Sequence, residues 1–367
     1  MSQSMSNHRG LRSAGFSVVE VLVSLVLGLL IVGAALTVFL SNRQTYRVAE
    51  ALARIQESSR ASFEIMARDL RAGGLNPCEA GIPIYNVLSN AGTVWWSGPD
   101  GTAGDNFVLG FESATTLPGV ATGSSVGQRV AGTDALQLIS AQSRGVVVGD
   151  HNPRTSSRGA LAAFTMALNT TSHGIVTNDI VLVCDFQQGA IFQARGVASG
   201  SANIRHAVSG NPGNSRNKLD NAASTIFYRY GCFQGLETVA GDACRDPDPS
   251  RVDPPRQWPA LIAELSASRW YVANNSQGNS SLVRETLQNN AGTLSVVQVE
   301  VVRNVVAFQL QYLEDTYKDA DSVINWSDVS AVRVNLTLQS DEAVADDGVT
   351  RAQRNFVHTL ALRGRTE

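Results

Sequence analysis

An α+β fold, one long N-terminal helix packed on an antiparallel β-sheet domain, is what the 367 residues predict. Three features carry that expectation: an apolar run from Phe16 to Leu40, an amphipathic stripe continuing it to Ala72, and period-two alternation in the C-terminal part. With 43% hydrophobic residues the chain can bury a core. Charged residues make up only 17%, below the ~25% of an average globular protein. That deficit fits an extracytoplasmic, loop-rich protein better than a cytosolic enzyme. The net charge of −3 offers no basic field, so no direct nucleic-acid partner is expected.

Residues 1–15 form a short polar leader with Arg9 and Arg12, no acidic residue, and Gly15 at its end. Residues 16–40 follow with one ionisable side chain, Glu20. As a helix they extend about 37 Å, against a hydrocarbon core of about 30 Å, so they can span a membrane. Arg9 and Arg12 before the span favour a cytoplasmic N-terminus, and Arg43 and Arg47 beyond it counter part of that bias. A secretory signal has an apolar region of about 7–15 residues followed by a small-residue cleavage site. Here the run is longer, and the small residue Gly15 precedes it. Cleavage there would leave the helix on the protein.

Glu20 admits two readings. The positive end of the helix dipole and the membrane interface can tolerate a carboxylate in the first turns. Alternatively, an acid that costs a few kcal/mol in hydrocarbon is there to meet a cation. Cleavage after Gly15 would create one, the α-amino group of Phe16, and a staggered neighbouring subunit could bring its own amine to Glu20.

Residues 41–74 continue the helix with a single stripe. Val48, Leu52, Ile55, Ser59, Phe63, Met66 and Leu70 recur at steps of three or four. Glu50/Arg54, Arg60/Glu64 and Glu64/Arg68 pair opposite charges at i,i+4. Gly73-Gly74 supplies a stop, so the helix is expected from Phe16 to Ala72. Its stripe would pack on the protein's own sheet, whereas the all-apolar half has no such partner. Gly28 and Gly33 within that half suit either close helix packing or local loosening.

Residues 75–367 read as a β-rich domain. Alternation predicts strands near 306–312, 332–339 and 356–362, with further candidates at 134–140, 179–184, 190–194, 226–230, 268–273 and 296–302. The Gly-, Ser-, Asn-, Asp- or Pro-rich stretches 87–130, 198–224 and 237–257 read as loops. Four cysteines, Cys78, Cys184, Cys232 and Cys244, allow three disulfide pairings. Cys232 with Cys244 closes the easiest local loop, leaving Cys78 to tie the helix end to the strand at Cys184. No C-x-x-C and no histidine at ligand spacing supports zinc.

Candidate chemistry is sparse. His8, His151, His173, His206 and His358 share no motif, and no nucleophile elbow, P-loop or H-E-x-x-H occurs. Asp315, Asp319, Asp321 and Asp328 could offer oxygens to calcium, but the loop spacing and central glycine of a calcium loop are missing, which favours a solvated acidic turn. Trp95-Trp96 suits an exposed patch or a buried pair beneath a loop. No catalytic residue and no cofactor are predicted.

Gly15-Phe16-Ser17-Val18-Val19-Glu20 resembles a type III prepilin processing site. That resemblance implies cleavage by a prepilin peptidase between Gly15 and Phe16, N-methylation of Phe16 and an assembly role for Glu20. Phe39–Arg47, Ala67-Arg68-Asp69-Leu70-Arg71, Asp179–Val183, Ala190–Gln193, Ala331–Val334 and Leu360–Arg363 look like PilW-type minor pilins. The family implies a non-enzymatic subunit that helps initiate, prime or cap a type IV pilus. It would be anchored in inner-membrane lipid with its β-domain in the periplasm, then carried to the cell surface among other minor pilins and the major pilin. A type II secretion pseudopilin would share the N-terminus, and a membrane-anchored adhesin would need only exposed loops.

Overall fold

The computed structural model describes residues 15–78, 81–102, 107–157, 161–223, 227–231, 236–237, 260–345 and 347–363. Cys232, Cys244 and the leader through residue 14 lie outside the described residues. The chain divides into two compact units, Met1–Arg54 with Ser340–Ala352, and Ile55–Gln339 with Gln353–Glu367.

Helix α1 runs from Val18 to Ala72, 55 residues. It starts two residues later than the apolar run because Ser17 acts as its N-cap. The Ser17 hydroxyl oxygen accepts from the Val19 N–H at 3.3 Å, and its carbonyl accepts from the Val21 N–H at 3.1 Å. From Val18 to Tyr46 the apolar side chains of α1 stand exposed all round, and Val48, Ala51 and Leu52 are half-buried. The same unit holds a hairpin tip, where the Ser340 hydroxyl accepts from the Ala352 N–H at 3.0 Å.

In the second unit α1 becomes one-sided. Ile55, Ser59, Phe63, Met66 and Leu70 are buried, as their spacing predicts, and Ser62, Ala67 and Asp69 join them. The helix ends where the glycines stand. Gly74 takes a left-handed φ of 80°, and a Cβ on Gly73 would lie 2.8 Å from Leu138 Cδ2. The Gly74 N–H donates to the Ile139 carbonyl at 3.0 Å, handing the chain directly to the sheet.

That sheet has twelve strands: β1 (Pro83–Asn86), β2 (Gly101–Thr102), β3 (Val108–Phe111), β4 (Ala135–Ala141), β5 (Val147–Asn152), β6 (Thr165–Leu168), β7 (Ile180–Cys184), β8 (Gly189–Gln193), β9 (Asn203–Arg205) and, after the small pair β10 (Phe227–Tyr228) and β11 (Leu236–Glu237), β12 (Ala260–Asn274), β13 (Ser280–Asn290) and β14 (Thr293–Arg303). Its main path is β2-β1-β8-β7-β12-β5-β6-β9, and β12 also carries β4 and β13, extended by β3 and β14. A four-stranded sheet follows, order β16-β15-β17-β18, from β15 (Val305–Leu313), β16 (Tyr317–Lys318), β17 (Ala331–Ala343) and β18 (Arg351–Ala361). Short 3-10 turns cover Ala320–Ser322 and Trp326–Asp328.

Both sheets are antiparallel as expected, apart from β1, which runs parallel to β8. Strands β7 and β8 are buried on both faces: Val181, Val183 and Phe192 join one core, Leu182 and Ile191 the other. The 268–273 candidate is part of a 15-residue strand, and in 226–230, whose first residue lies outside the described residues, the strand is Phe227–Tyr228. The stretches read as loops contain β2, β3 and β9, while 237–257 falls almost wholly outside the described residues. β13 escaped the sequence reading because Arg284 and Glu285 interrupt its apolar pattern; Glu285 is buried and Arg284 half-buried because both are paired.

Candidate functional site: the N-terminal helix and its anchor

Gly15, Phe16 and Ser17 precede the helix, and the Phe16 ring is 80% exposed. Glu20 is the acidic residue of the first helical turn. From Val18 to Leu40 the helix presents apolar side chains with nothing from the described chain against them. A Cβ on Gly28 or Gly33 would meet nothing within 4 Å, so the chain's own packing does not demand glycine there. The helix is long and apolar enough to cross a membrane.

The opposite end of α1 is anchored by Asp69. Its Oδ2 accepts from Trp270 Nε1 at 3.0 Å and from Arg284 Nε at 2.5 Å, and its Oδ1 accepts from Arg284 Nη2 at 2.9 Å. Trp270 on β12 and Arg284 on β13 are direct cross-strand partners, so the sheet register alone brings both donors to one carboxylate. The neighbouring pair, Arg269 and Glu285, points to the other face. There Arg269 Nε lies 2.5 Å from Glu285 Oε2, the Tyr271 hydroxyl donates to Glu285 Oε1 at 2.7 Å, and the guanidinium stacks 4.7 Å from the Trp95 ring. Trp95 is half-buried and Trp96 buried, so the tandem tryptophans serve the fold's interior. A shift of one residue would exchange the two networks and leave Asp69 buried without a cation.

A disulfide joins Cys78, just beyond the helix end, to Cys184 on β7, with Cα atoms 5.6 Å apart. The aspartates considered for calcium face separate partners. Asp315 pairs with Lys318 at 2.8 Å, Asp319 accepts from Gln311 at 3.3 Å, and Asp321 accepts from the Thr115 hydroxyl at 3.2 Å. Among the described residues no group of three His, Cys, Asp or Glu side chains is arranged to hold a metal ion.

Two histidines far apart in sequence meet. His151 Nε2 and His206 Nε2 are 3.0 Å apart and both rings are fully buried. His206 Nδ1 faces the Asn217 carbonyl at 2.8 Å and must donate, while His151 Nδ1 accepts from the Tyr230 N–H at 3.0 Å. His151 therefore carries its proton on Nε2 and donates it to His206 Nε2. Burial holds the His206 pKa down at about 4, so this is a neutral strut. No sequence motif could have revealed it, because 55 residues separate the two rings. His358 lies on β18 with its ring 4.0 Å from that of Phe63. The pair borders a cleft of about 420 Å³ between the flank of α1 and the inner face of β18.

Residues 269–360 match the family model of type IV pilus-assembly protein W, PilW. The matched segment begins beside Trp270 and includes Arg284, so it contains both donors that hold Asp69. It ends on β18. No curated protein and no solved structure gives a significant match. The PilW match suggests a part in type IV pilus assembly.

Proposed function

We propose that this chain is a minor pilin, a structural subunit that helps initiate, prime or cap a type IV pilus. The observation that carries the reading is the N-terminal segment: a capped helix preceded by exposed Gly15-Phe16, apolar on every side, with Glu20 in its first turn. Apolar surface on this scale needs lipid or other helices around it. A helix that spans the bilayer before assembly and packs among neighbouring helices afterwards meets that need in both states. Glu20 then accepts an ion pair from the Phe16 amine of an adjacent subunit and fixes axial register. Within the chain, Asp69 couples the helix to the sheet, so force on the helix reaches the β-domain.

Mass spectrometry of the mature protein, recovered from sheared surface fibres, tests this. The expected N-terminus is methylated Phe16, and a protein that retains residues 1–15 would refute the reading. Glu20→Ala should be processed yet fail to enter fibres, and normal incorporation would remove the ion-pair role.

A further inference from the structure

We propose that His151 and His206 form an acid-sensitive latch, whose protonation frees the stems of the 206–217 loop and the 227–231 segment while the sheet beneath stays folded. The latch does not depend on the pilin reading. It is a chain of three hydrogen bonds with fixed ends. At one end the Tyr230 N–H, a donor only, points at His151 Nδ1 at 3.0 Å. At the other the Asn217 carbonyl, an acceptor only, faces His206 Nδ1 at 2.8 Å. The middle bond joins the two Nε2 atoms at 3.0 Å. Four ring nitrogens thus lie between a fixed donor and a fixed acceptor, and two ring protons satisfy all three bonds. A third proton, on either ring and in any tautomer, sets one N–H against another, because each bare nitrogen already faces a donor. Both rings are fully buried, so a charge there has no water to solvate it while the site is closed.

Three segments meet at the latch: His151 is on β5, His206 directly follows β9, and Tyr230 lies two residues beyond β10. The Val208 N–H donates to Asn217 Oδ1 at 2.6 Å, so His206 and Asn217 close a loop whose outer part, Val208 to Asn211, is exposed. The middle of that loop hangs on amides that do not titrate. The Gln193 N–H donates to Asn214 Oδ1 at 2.7 Å, and Asn214 Nδ2 donates back to the Gln193 carbonyl at 3.0 Å. Acid therefore loosens the stems and leaves the middle attached to β8. The charged neighbours give an imidazolium little help. Arg205 on β9 repels it. On β5, Asp150 already accepts from Arg229 at 2.5 Å and from the His151 backbone N–H at 2.8 Å, and Arg229 also donates to the His151 carbonyl at 3.1 Å. Lys218 follows Asn217, and the rings of Phe164 and Phe192 meet His206 in T-shaped contacts. The Tyr228 and Tyr230 hydroxyls stay protonated, since burial pushes their pKa up. Two carboxyls are rivals, because burial raises both and both hold Tyr228. Asp220 accepts from its N–H at 3.3 Å and Asp185 from its hydroxyl at 2.8 Å.

Amide exchange of the full chain in nonionic detergent micelles, taken from pH 7 to about pH 4.5 and corrected for the intrinsic pH dependence of exchange, tests the latch. With the closed ring titrating at about 4 and the open one at 6.5, opening should increase about 50-fold over that range. The Tyr230 and Val208 amides should show the increase, and those of β7 and β13 should not. Ring nitrogen NMR of histidine-labelled protein should show His151 or His206 becoming cationic with the same midpoint. Asp185→Asn and Asp220→Asn should retain the acceleration, because each removes a rival titration and keeps a side-chain oxygen for Tyr228. Rings that stay neutral while the amides open, or loss of the acceleration in either variant, would assign the effect to the carboxyls and overturn the proposal. So would a ring that charges without opening, or loss of the whole sheet at the same pH. The ring measurement needs no variant, so the parent protein alone decides. None of these results bears on the mature N-terminus, so this proposal and the pilin reading fail separately.

Discussion

Replacing Asp69 by asparagine isolates the charge that anchors α1. Asparagine keeps an oxygen for the Trp270 indole but leaves the Arg284 guanidinium without its carboxylate. Removing one partner of a buried ion pair costs ~3–5 kcal/mol. The Arg284 side chain retains 23% exposure and the Asp69 side chain 8%, so solvent screening places Asp69→Asn below that range, at about 2–3 kcal/mol. Arg284→Met should cost a similar amount, because the carboxylate then stays buried with only the indole donor. Once one charge is gone, losing the other is cheap, so the double variant should fall short of the sum by about 2 kcal/mol. Urea unfolding of the full chain in detergent gives the four stabilities of the cycle. Amide exchange across residues 55–72 reports the helix itself, with about a 30–160-fold acceleration expected for Asp69→Asn. Single losses below 1 kcal/mol that add without coupling would show that Asp69 does not anchor the helix.

Leu70 is fully buried in the same helical turn, so Leu70→Ala should cost about 3–4 kcal/mol by cavity formation, measured as a shift in urea midpoint at unchanged slope. The Cys78–Cys184 disulfide spans 106 residues, and the combined Cys78→Ser/Cys184→Ser variant should lose about 2–4 kcal/mol. Equal stability of that variant and the parent would mean the bridge does not constrain the unfolded chain. His206 has its pKa lowered from 6.5 to about 4, so the unfolded chain takes up its proton first as the pH falls. The contribution of the neutral ring is complete above pH 6.5 and lost progressively down to pH 4, about 3 kcal/mol in all. Asp134 works oppositely in an overlapping window, because burial raises its pKa to about 6. The His206 effect should therefore be read as the difference between parent and His206→Asn stability curves over pH 4–7, and parallel curves would refute it.

Much of α1 was legible in the sequence because a helix is a local object. Its apolar run, its charge pairs and its stop at Gly73-Gly74 lie within a few residues of one another, and the stripe from Ile55 to Leu70 names the buried face. Strands with simple alternation, β15 and β17 above all, were legible for the same reason. β13 was not, because its two charges read as surface until cross-strand register shows Arg284 beside Trp270 and Glu285 beside Arg269. The His151–His206 strut and the open edge of β18 were equally hidden, since pairing and its absence depend on which distant segments become neighbours.

The amino-acid order by itself determined that this protein carries a lone acid near the start of a long apolar helix, and that a β-domain follows. Hydrophobic period and helix caps act over one or two turns, so nothing distant was needed to read them. Only the tertiary structure decided that Asp69 is the anchor, that the preferred one of three cysteine pairings joins Cys78 to Cys184, and that β18 has no outer neighbour among the described residues. Those are long-range choices of register, set by how the two faces of each strand are filled and by which buried charges find partners.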